Sequence, residues 1–111
     1  MQKKSFDAPD TTTELPKTKL EVVTIGDRTL IRNTFEPGWK WSEHVKPTAG
    51  TDSCQAHHVI CMLSGRLKAV MDDGTAIEAG PGDVVDIPPG HDAWVVGDEP
   101  VVGIDIAASA A

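Results

Sequence analysis

The fold is decided by residues 80–90, Gly80-Pro81-Gly82-Asp83-Val84-Val85-Asp86-Ile87-Pro88-Pro89-Gly90, in which a short apolar segment stands between two turns of glycine and proline. Glycine permits the positive φ that tight turns need, and proline interrupts the hydrogen-bond ladder of a sheet. We therefore predict that residues 83–87 form a short strand. The same alternation of apolar segment and turn recurs along most of the chain.

Further segments of this kind are predicted as strands: residues 20–25, 29–35, 39–46, 56–63, 66–71, 75–78, 93–96 and 101–106. The pair Asp73-Gly74, between two of these segments, is the strongest hairpin signal in the chain. No window keeps an apolar period of 3.6 residues over three helical turns. The spacing therefore predicts an all-β sandwich or barrel in a single domain.

The first 19 residues differ in composition from the rest of the chain. They contain Pro9 and Pro16, and only Phe6 and Leu15 offer much apolar surface. We predict that residues 1–19 form an N-terminal arm and that residues 20–111 form the β-barrel domain.

The charge of the chain limits the classes of partner. The 111 residues carry a formal net charge of −7, which disfavours nucleic acid and anionic membrane surfaces as partners. No apolar run approaches the roughly 20 residues needed to cross a bilayer. A basic start without an apolar segment after it does not predict a secretory signal, so we expect a cytoplasmic protein.

The two cysteines are predicted to be reduced. If Cys54 and Cys61 lie on one extended segment, their Cα atoms are on the order of 20 Å apart, whereas a disulfide needs less than about 7 Å. Cys61 alternates with Val59 and Leu63, which favours a packing thiol. Cys54 lies in or near the loop at the barrel mouth and is the better redox candidate.

The adjacent histidines His57 and His58 must point to opposite faces of their predicted strand, because side chains alternate across a strand. On this parity His58 shares a face with Ile60 and Met62, and His57 shares the other face with Cys61. Only one of the two histidines can therefore look into a cavity.

Residues 37–96 resemble the cupins, a family of small double-sheet jelly rolls. The first cupin motif is G(X)5HXH(X)3–4E(X)6G, and Gly38 and His44 match its beginning. The second histidine of that motif is replaced by Lys46. Counted back from Gly65, the glutamate position is held by His58.

The second cupin motif, G(X)5PXG(X)2H(X)3N, is matched in register by Gly82, Pro88 and Gly90. Its histidine position is Ala93 here, and its asparagine position is also changed. His91 lies two residues before Ala93 and shares its face if the strand has already begun.

The resemblance implies a double-stranded β-helix, or jelly-roll barrel, that binds a divalent transition metal inside. The implied ligands are His44, His58 and His91, which would suit Fe, Zn, Ni, Cu or Mn. An ammonium has no lone pair for a metal, so Lys46 is expected in the substrate pocket with Gln55, where it would orient a carboxylate or enolate oxygen.

Two functions follow from the resemblance. The first is a metal-dependent enzyme acting on a small polar molecule, as an oxygenase, isomerase or lyase, with no catalytic residue assigned. The alternative is a non-catalytic protein that binds or senses a small molecule without a metal. Because cupins are commonly dimers, a homodimer is expected in either case.

Overall fold

The structure, a computed structural model, describes residues 1–106. These residues form strands and two short helices. The strands are β1 (Thr11–Leu15), β2 (Thr18–Ile25), β3 (Arg28–Phe35), β4 (His58–Ser64), β5 (Leu67–Met71), β6 (Ala76–Ala79), β7 (Val84–Ile87), β8 (His91–Val95) and β9 (Val101–Asp105). The helices, α1 (Trp41–His44) and α2 (Lys46–Ala49), lie between β3 and β4. No helix within this part of the chain is long and apolar enough to cross a bilayer.

The strands form two antiparallel sheets. The larger sheet has the order β1-β2-β3-β9-β4-β7, and the smaller sheet has the order β6-β5-β8. This arrangement confirms the predicted all-β fold class. Strand β9, the last among the described residues, is inserted between β3 and β4, so residues far apart in sequence meet on the inner face of the larger sheet.

The predicted turns lie where the sequence indicates. Gly26-Asp27 joins β2 to β3, whose register begins at the pair Ile25 and Arg28. Gly74 has φ +90°, and its N–H donates to the carbonyl of Met71 at 2.9 Å at the hairpin between β5 and β6. Positive φ at such turn positions is available to glycine without the penalty that a side chain brings.

The N-terminal arm contains a strand that the sequence did not indicate. β1 pairs with β2 in antiparallel register from Thr11 opposite Val22 to Leu15 opposite Thr18. Four of its five side chains are exposed, so backbone hydrogen bonds hold this edge strand and apolar alternation does not mark it. β2 itself begins at Thr18, two residues before the predicted start of the barrel domain.

Residues 39–46, predicted as a strand, instead enter the two helices. Lys40 makes a single bridge with Trp94 before the chain turns away from β8. The N–H of Ser42 donates to Asp92 Oδ1 at 3.1 Å, which satisfies the start of α1. Pro47 stands in the first turn of α2, where its missing N–H costs nothing. The partner Asp92 is fifty residues away, so the alternation misled the sequence prediction.

The core lies between the two sheets. Met62 and Val101 are the largest fully buried side chains, and Phe35 stacks on Trp39 with ring centroids 3.9 Å apart. The core does not fill the interior completely. A cavity of about 470 Å³ remains between the two sheets and the helices.

We expect Gly65→Ala to destabilise the fold more than the matched variant Gly74→Ala. Both residues have positive φ, which costs a residue with a side chain about 1–2 kcal/mol. A Cβ on Gly65 would also stand 2.4 Å from the carbonyl oxygen of Pro100, at the start of β9, whereas a Cβ on Gly74 would meet nothing within 4 Å. Overpacking of this kind adds about 1–3 kcal/mol.

Guanidinium unfolding of both variants and the wild type measures this difference as a shift in midpoint at constant slope. Equal losses in the two variants would show that the contact between the β4–β5 turn and β9 does not restrain the fold.

Candidate metal centre

The parity predicted for the two adjacent histidines is confirmed. His58, the first residue of β4, points inward with Ile60 and lines the cavity. His57 points outward and its Nε2 lies 2.6 Å from Asp86 on β7, where both side chains are exposed.

His91 reaches the same cavity from the smaller sheet. It is the first residue of β8 and is 3% exposed. Its Nδ1 lies 2.7 Å from the carbonyl oxygen of Pro88, which belongs to the Pro-Pro-Gly turn of the second motif. That carbonyl can only accept, so Nδ1 donates to it and Nε2 is left as the nitrogen available to a metal. The rings of His58 and His91 meet edge to face at 5.3 Å.

Cys54 completes the group. Although it lies outside the named strands, its backbone forms one bridge with His91, in which the Cys54 N–H donates to the His91 carbonyl at 2.7 Å. This bridge places the thiol beside both histidines. One ligand atom from each of Cys54, His58 and His91 lies within 4.8 Å of the others.

Asp105 orients His58 from the far side of the ring. It is 2% exposed on β9, and its Oδ2 lies 2.5 Å from Nδ1 of His58. Because a carboxylate accepts this hydrogen bond, Nε2 of His58 faces Cys54 Sγ at 3.6 Å. Metal-binding histidines commonly donate their other nitrogen to a carboxylate or a backbone carbonyl, and both histidines of this group do so.

The pKa values in this group shift in opposite directions. Burial alone would raise the pKa of the Cys54 thiol, but hydrogen bonds with His58, His91 and the Ala56 backbone lower it to about 6. Burial alone would lower the pKa of His58, but Asp105 and Cys54 raise it to about 9. Near neutral pH the metal-free group therefore holds a thiolate beside a protonated imidazole.

The three donors line the cavity, whose walls are mainly apolar. Trp39 and Trp41, buried at 4% and 6% exposure, form part of the wall together with Ile60. Among residues 1–106 no lysine or arginine lines this space. A group bound at the donors would therefore lie beside a cavity with mainly apolar walls.

The structure brings together two of the three predicted metal ligands, His58 and His91. His44 lies on α1, and its Nδ1 is 3.0 Å from the backbone nitrogen of Lys40 and 3.1 Å from its oxygen. It does not belong to the group because residues 41–44 form a helix, so His44 is not on the inner face of a strand. Cys54 stands in the third position.

The two predicted pocket residues are separated in the same way. Gln55 lines the cavity, and its amide nitrogen donates to the Ser53 hydroxyl at 3.0 Å. Lys46 begins α2 and lines a separate, open groove with Pro47 and Asp52.

Sequence reasoning missed two members of the site. Cys54 lies four residues before His58, and on an extended strand this spacing would separate their Cα atoms by about 13 Å. Residues 55–57 are not in a strand, so the strand spacing does not apply to this pair. Asp105 did leave a signal, because it is an acidic residue at the inward parity of the apolar segment 101–106, and a carboxylate at a core position is rarely buried without a partner.

The donor set fits a transition metal. Thiolate and neutral imidazole are the ligands of zinc sites that have three protein ligands and an open fourth position, and two oriented histidines lie beside the thiol here. With Asp105 as the hydrogen-bond acceptor for His58, these three residues fit the ligand chemistry of one metal ion.

Comparisons with known proteins identify the fold. No family model and no curated protein matches the chain. Among solved structures, a protein of unknown function from Rhizobium leguminosarum bv. viciae 3841 is 20% identical with a TM-score of 0.64, covering 96% of this chain and 94% of that one.

Two other solved structures are similar to the chain. A cupin-like protein from Thermotoga maritima is 21% identical with a TM-score of 0.56, covering 80% of this chain and 66% of that one. KdgF from Halomonas sp. is 17% identical with a TM-score of 0.58, covering 86% and 82%. At these identities the similarity shows the fold alone, because proteins that share a fold can differ in activity. The described part of the chain is a β-barrel with the cupin fold.

Proposed function

We propose that this protein binds a divalent transition metal ion through Cys54, His58 and His91, and that the adjoining cavity holds a small organic ligand. One observation carries the proposal: donor atoms from three separate segments lie within 4.8 Å of one another on the wall of the cavity. Thiolate and imidazole suit zinc, copper, nickel and iron, whereas manganese prefers oxygen ligands. We therefore place manganese last among the five metals expected from the sequence.

The residues around the donors have distinct roles in this proposal. Asp105 and the Pro88 carbonyl fix the two imidazole rings so that Nε2 of each faces the metal. Trp39 and Trp41 form part of the apolar wall of the space beside it. When bound, the metal supplies a Lewis acid that polarises an oxygen of the ligand.

The ligand that we propose is more apolar than the one expected from the sequence. Lys46 lies outside the cavity, so no ammonium is placed to meet a carboxylate or an enolate there. An acidic oxygen of the ligand would instead bind the metal, and apolar walls would contact the remainder.

Binding of a small molecule without a metal is the second candidate function. The observation that favours it is the size of the apolar cavity, about 470 Å³, which extends well beyond the three donors and lies in the range of pockets for small ligands. The homodimer and the cytoplasmic location expected from the sequence stay predictions.

We expect the wild type to bind one metal ion per chain, and Cys54→Ala, His58→Ala and His91→Ala each to weaken binding by more than tenfold. Loss of a ligand atom removes a coordinate bond, whereas loss of an orienting partner alone already costs about 10–100-fold. His44→Ala is the matched control and should leave affinity unchanged. Cobalt titration measures this, because a thiolate ligand adds a charge-transfer band that Cys54→Ala would abolish.

Metal content of protein purified without a chelating column supplies the independent count. Substoichiometric content that does not rise when Fe(II), Zn, Ni, Cu or Mn is added would overturn the proposed metal centre.

Asp105→Asn tests the orienting hydrogen bond. We expect metal affinity to fall about 10–100-fold, because the carboxylate that holds Nδ1 of His58 is lost. Asp86→Asn is the control, since it removes a carboxylate from the exposed pair with His57 at a similar distance, 2.6 Å, and should change nothing. Equal affinities for both variants would show that Asp105 does not act through His58.

Metal affinity should rise with pH. Above pH 6 the Cys54 thiol is already ionised, but the Nε2 proton of His58, with its pKa of about 9, must leave before the metal binds. Affinity should therefore increase about tenfold per pH unit from pH 6.5 to 8, with about one proton released per metal. Below pH 6 the slope should steepen, because the thiol must also ionise. Zinc competition against a chromophoric chelator measures the slope, and a pH-independent affinity would contradict it.

A further inference from the structure

Asn33 is a buried polar residue that the proposed metal centre does not use. It lies on β3 with 6% of its surface exposed, and it lines the cavity between Ile31 and Phe35. Directly opposite it on β9 is Gly103, which has no side chain to contact it. On its other side the partner in register is Leu20 of β2, which cannot form a hydrogen bond through its side chain.

The carboxamide of Asn33 has no hydrogen-bond partner among residues 1–106. In that part of the chain, every polar side-chain atom without accessible surface does have a partner, so the amide atoms of Asn33 are not among the fully enclosed ones. Its oxygen and nitrogen therefore face the open space of the cavity. Because the chain supplies no partner for them, these two atoms are available to hydrogen-bond a group that enters the cavity.

The neighbouring polar residue, Thr18, does not share this property. Its hydroxyl donates to the carbonyl of Pro16 at 2.9 Å and accepts from Trp39 Nε1 at 2.8 Å. Thr18 therefore serves to position the tryptophan, and Asn33 is left as the polar group that faces this part of the cavity.

The distance between Asn33 and the metal centre limits the ligand. Asn33 is opposite Gly103, and Asp105 is opposite Ile31, so Asn33 and Asp105 are diagonal neighbours with Cα atoms roughly 7 Å apart. His58, which Asp105 orients, lies beyond that carboxylate. The separation matches a ligand about as long as a para-substituted benzene ring, and the walls along it are aromatic and aliphatic.

We propose that Asn33 is a ligand-positioning residue, and that the ligand is a small planar, mainly apolar molecule with a hydroxyl or carbonyl group at the Asn33 end. Its other end carries an acidic oxygen for the metal, and this part of the inference rests on the proposed function. A carboxamide both donates and accepts, so it selects for a polar substituent at this position without requiring a charge.

The test compares two pairs of probes that differ by one hydroxyl group. Benzoate and 4-hydroxybenzoate are titrated into zinc-loaded protein by calorimetry, and toluene and p-cresol are titrated into metal-free protein. In each pair we expect Asn33→Leu to lower the preference for the hydroxylated probe about two- to tenfold, the effect of one hydrogen bond.

Two further variants keep the result interpretable. Asn33→Ala removes the amide without adding bulk, in case leucine at this position disturbs the fold. Thr34→Val removes a polar group from the same strand on its opposite face and should leave both preferences as in the wild type. Thermal unfolding of each variant establishes that the protein tested is folded.

The outcomes separate this inference from the proposed metal centre. If the Asn33 variants lose the preference for p-cresol over toluene and the wild type binds no zinc, the role of Asn33 is supported and the metal centre is overturned. Zinc binding with unchanged preferences in both folded Asn33 variants overturns the role of Asn33 and leaves the metal centre standing. Failure of all four probes to bind the wild type also overturns it, since the amide would then face only water.

Discussion

The hydrogen bond between Asp105 and His58 is the interaction on which the rest of the site depends. A carboxylate with 2% of its surface exposed is stable in a protein interior only when it is paired. The sheet order places it there, because β9 lies between β3 and β4 and its inward residues face the cavity. Held at Nδ1, the imidazole turns its other nitrogen toward Cys54. The raised pKa of His58 follows from its hydrogen bonds with Asp105 and Cys54, and the bond with His58 contributes to the lowered pKa of Cys54.

The donor set shows how a fold can keep its framework while its ligands change. The glycines and prolines of the second motif shape the turn that carries Pro88 and leads into His91, and the structure uses that turn as the sequence indicates. The third donor comes from a different segment, since Cys54 is attached to β8 by a single backbone bridge. Turns and strand order are properties of the fold, whereas donor atoms are set by individual side chains.

The cavity adds a constraint that the donors alone do not supply. Its polar groups are concentrated near the donors and at Asn33, and aromatic and aliphatic side chains line the space between. Such a volume favours an apolar molecule with few polar groups over a highly charged one. The same Trp39 serves the core, through its stack on Phe35, and the cavity, through its wall, so packing and recognition are carried by one side chain.

Local patterns in the sequence predicted the strands between residues 20 and 35 and between residues 58 and 105, the hairpins at Gly26 and Gly74, and the opposite orientations of His57 and His58. These features depend on neighbours in the chain, through alternation across a strand and positive φ at a turn. The tertiary contacts determine that helices follow Lys40 where a strand was predicted, that Cys54 joins His58 and His91, and that Asp105 lies behind them. Each of those depends on a partner brought near by the crossing of strands, such as Asp92 at α1. The spacing of apolar residues along the chain gives no information about a contact between residues fifty positions apart, because such a contact depends on how the strands are arranged.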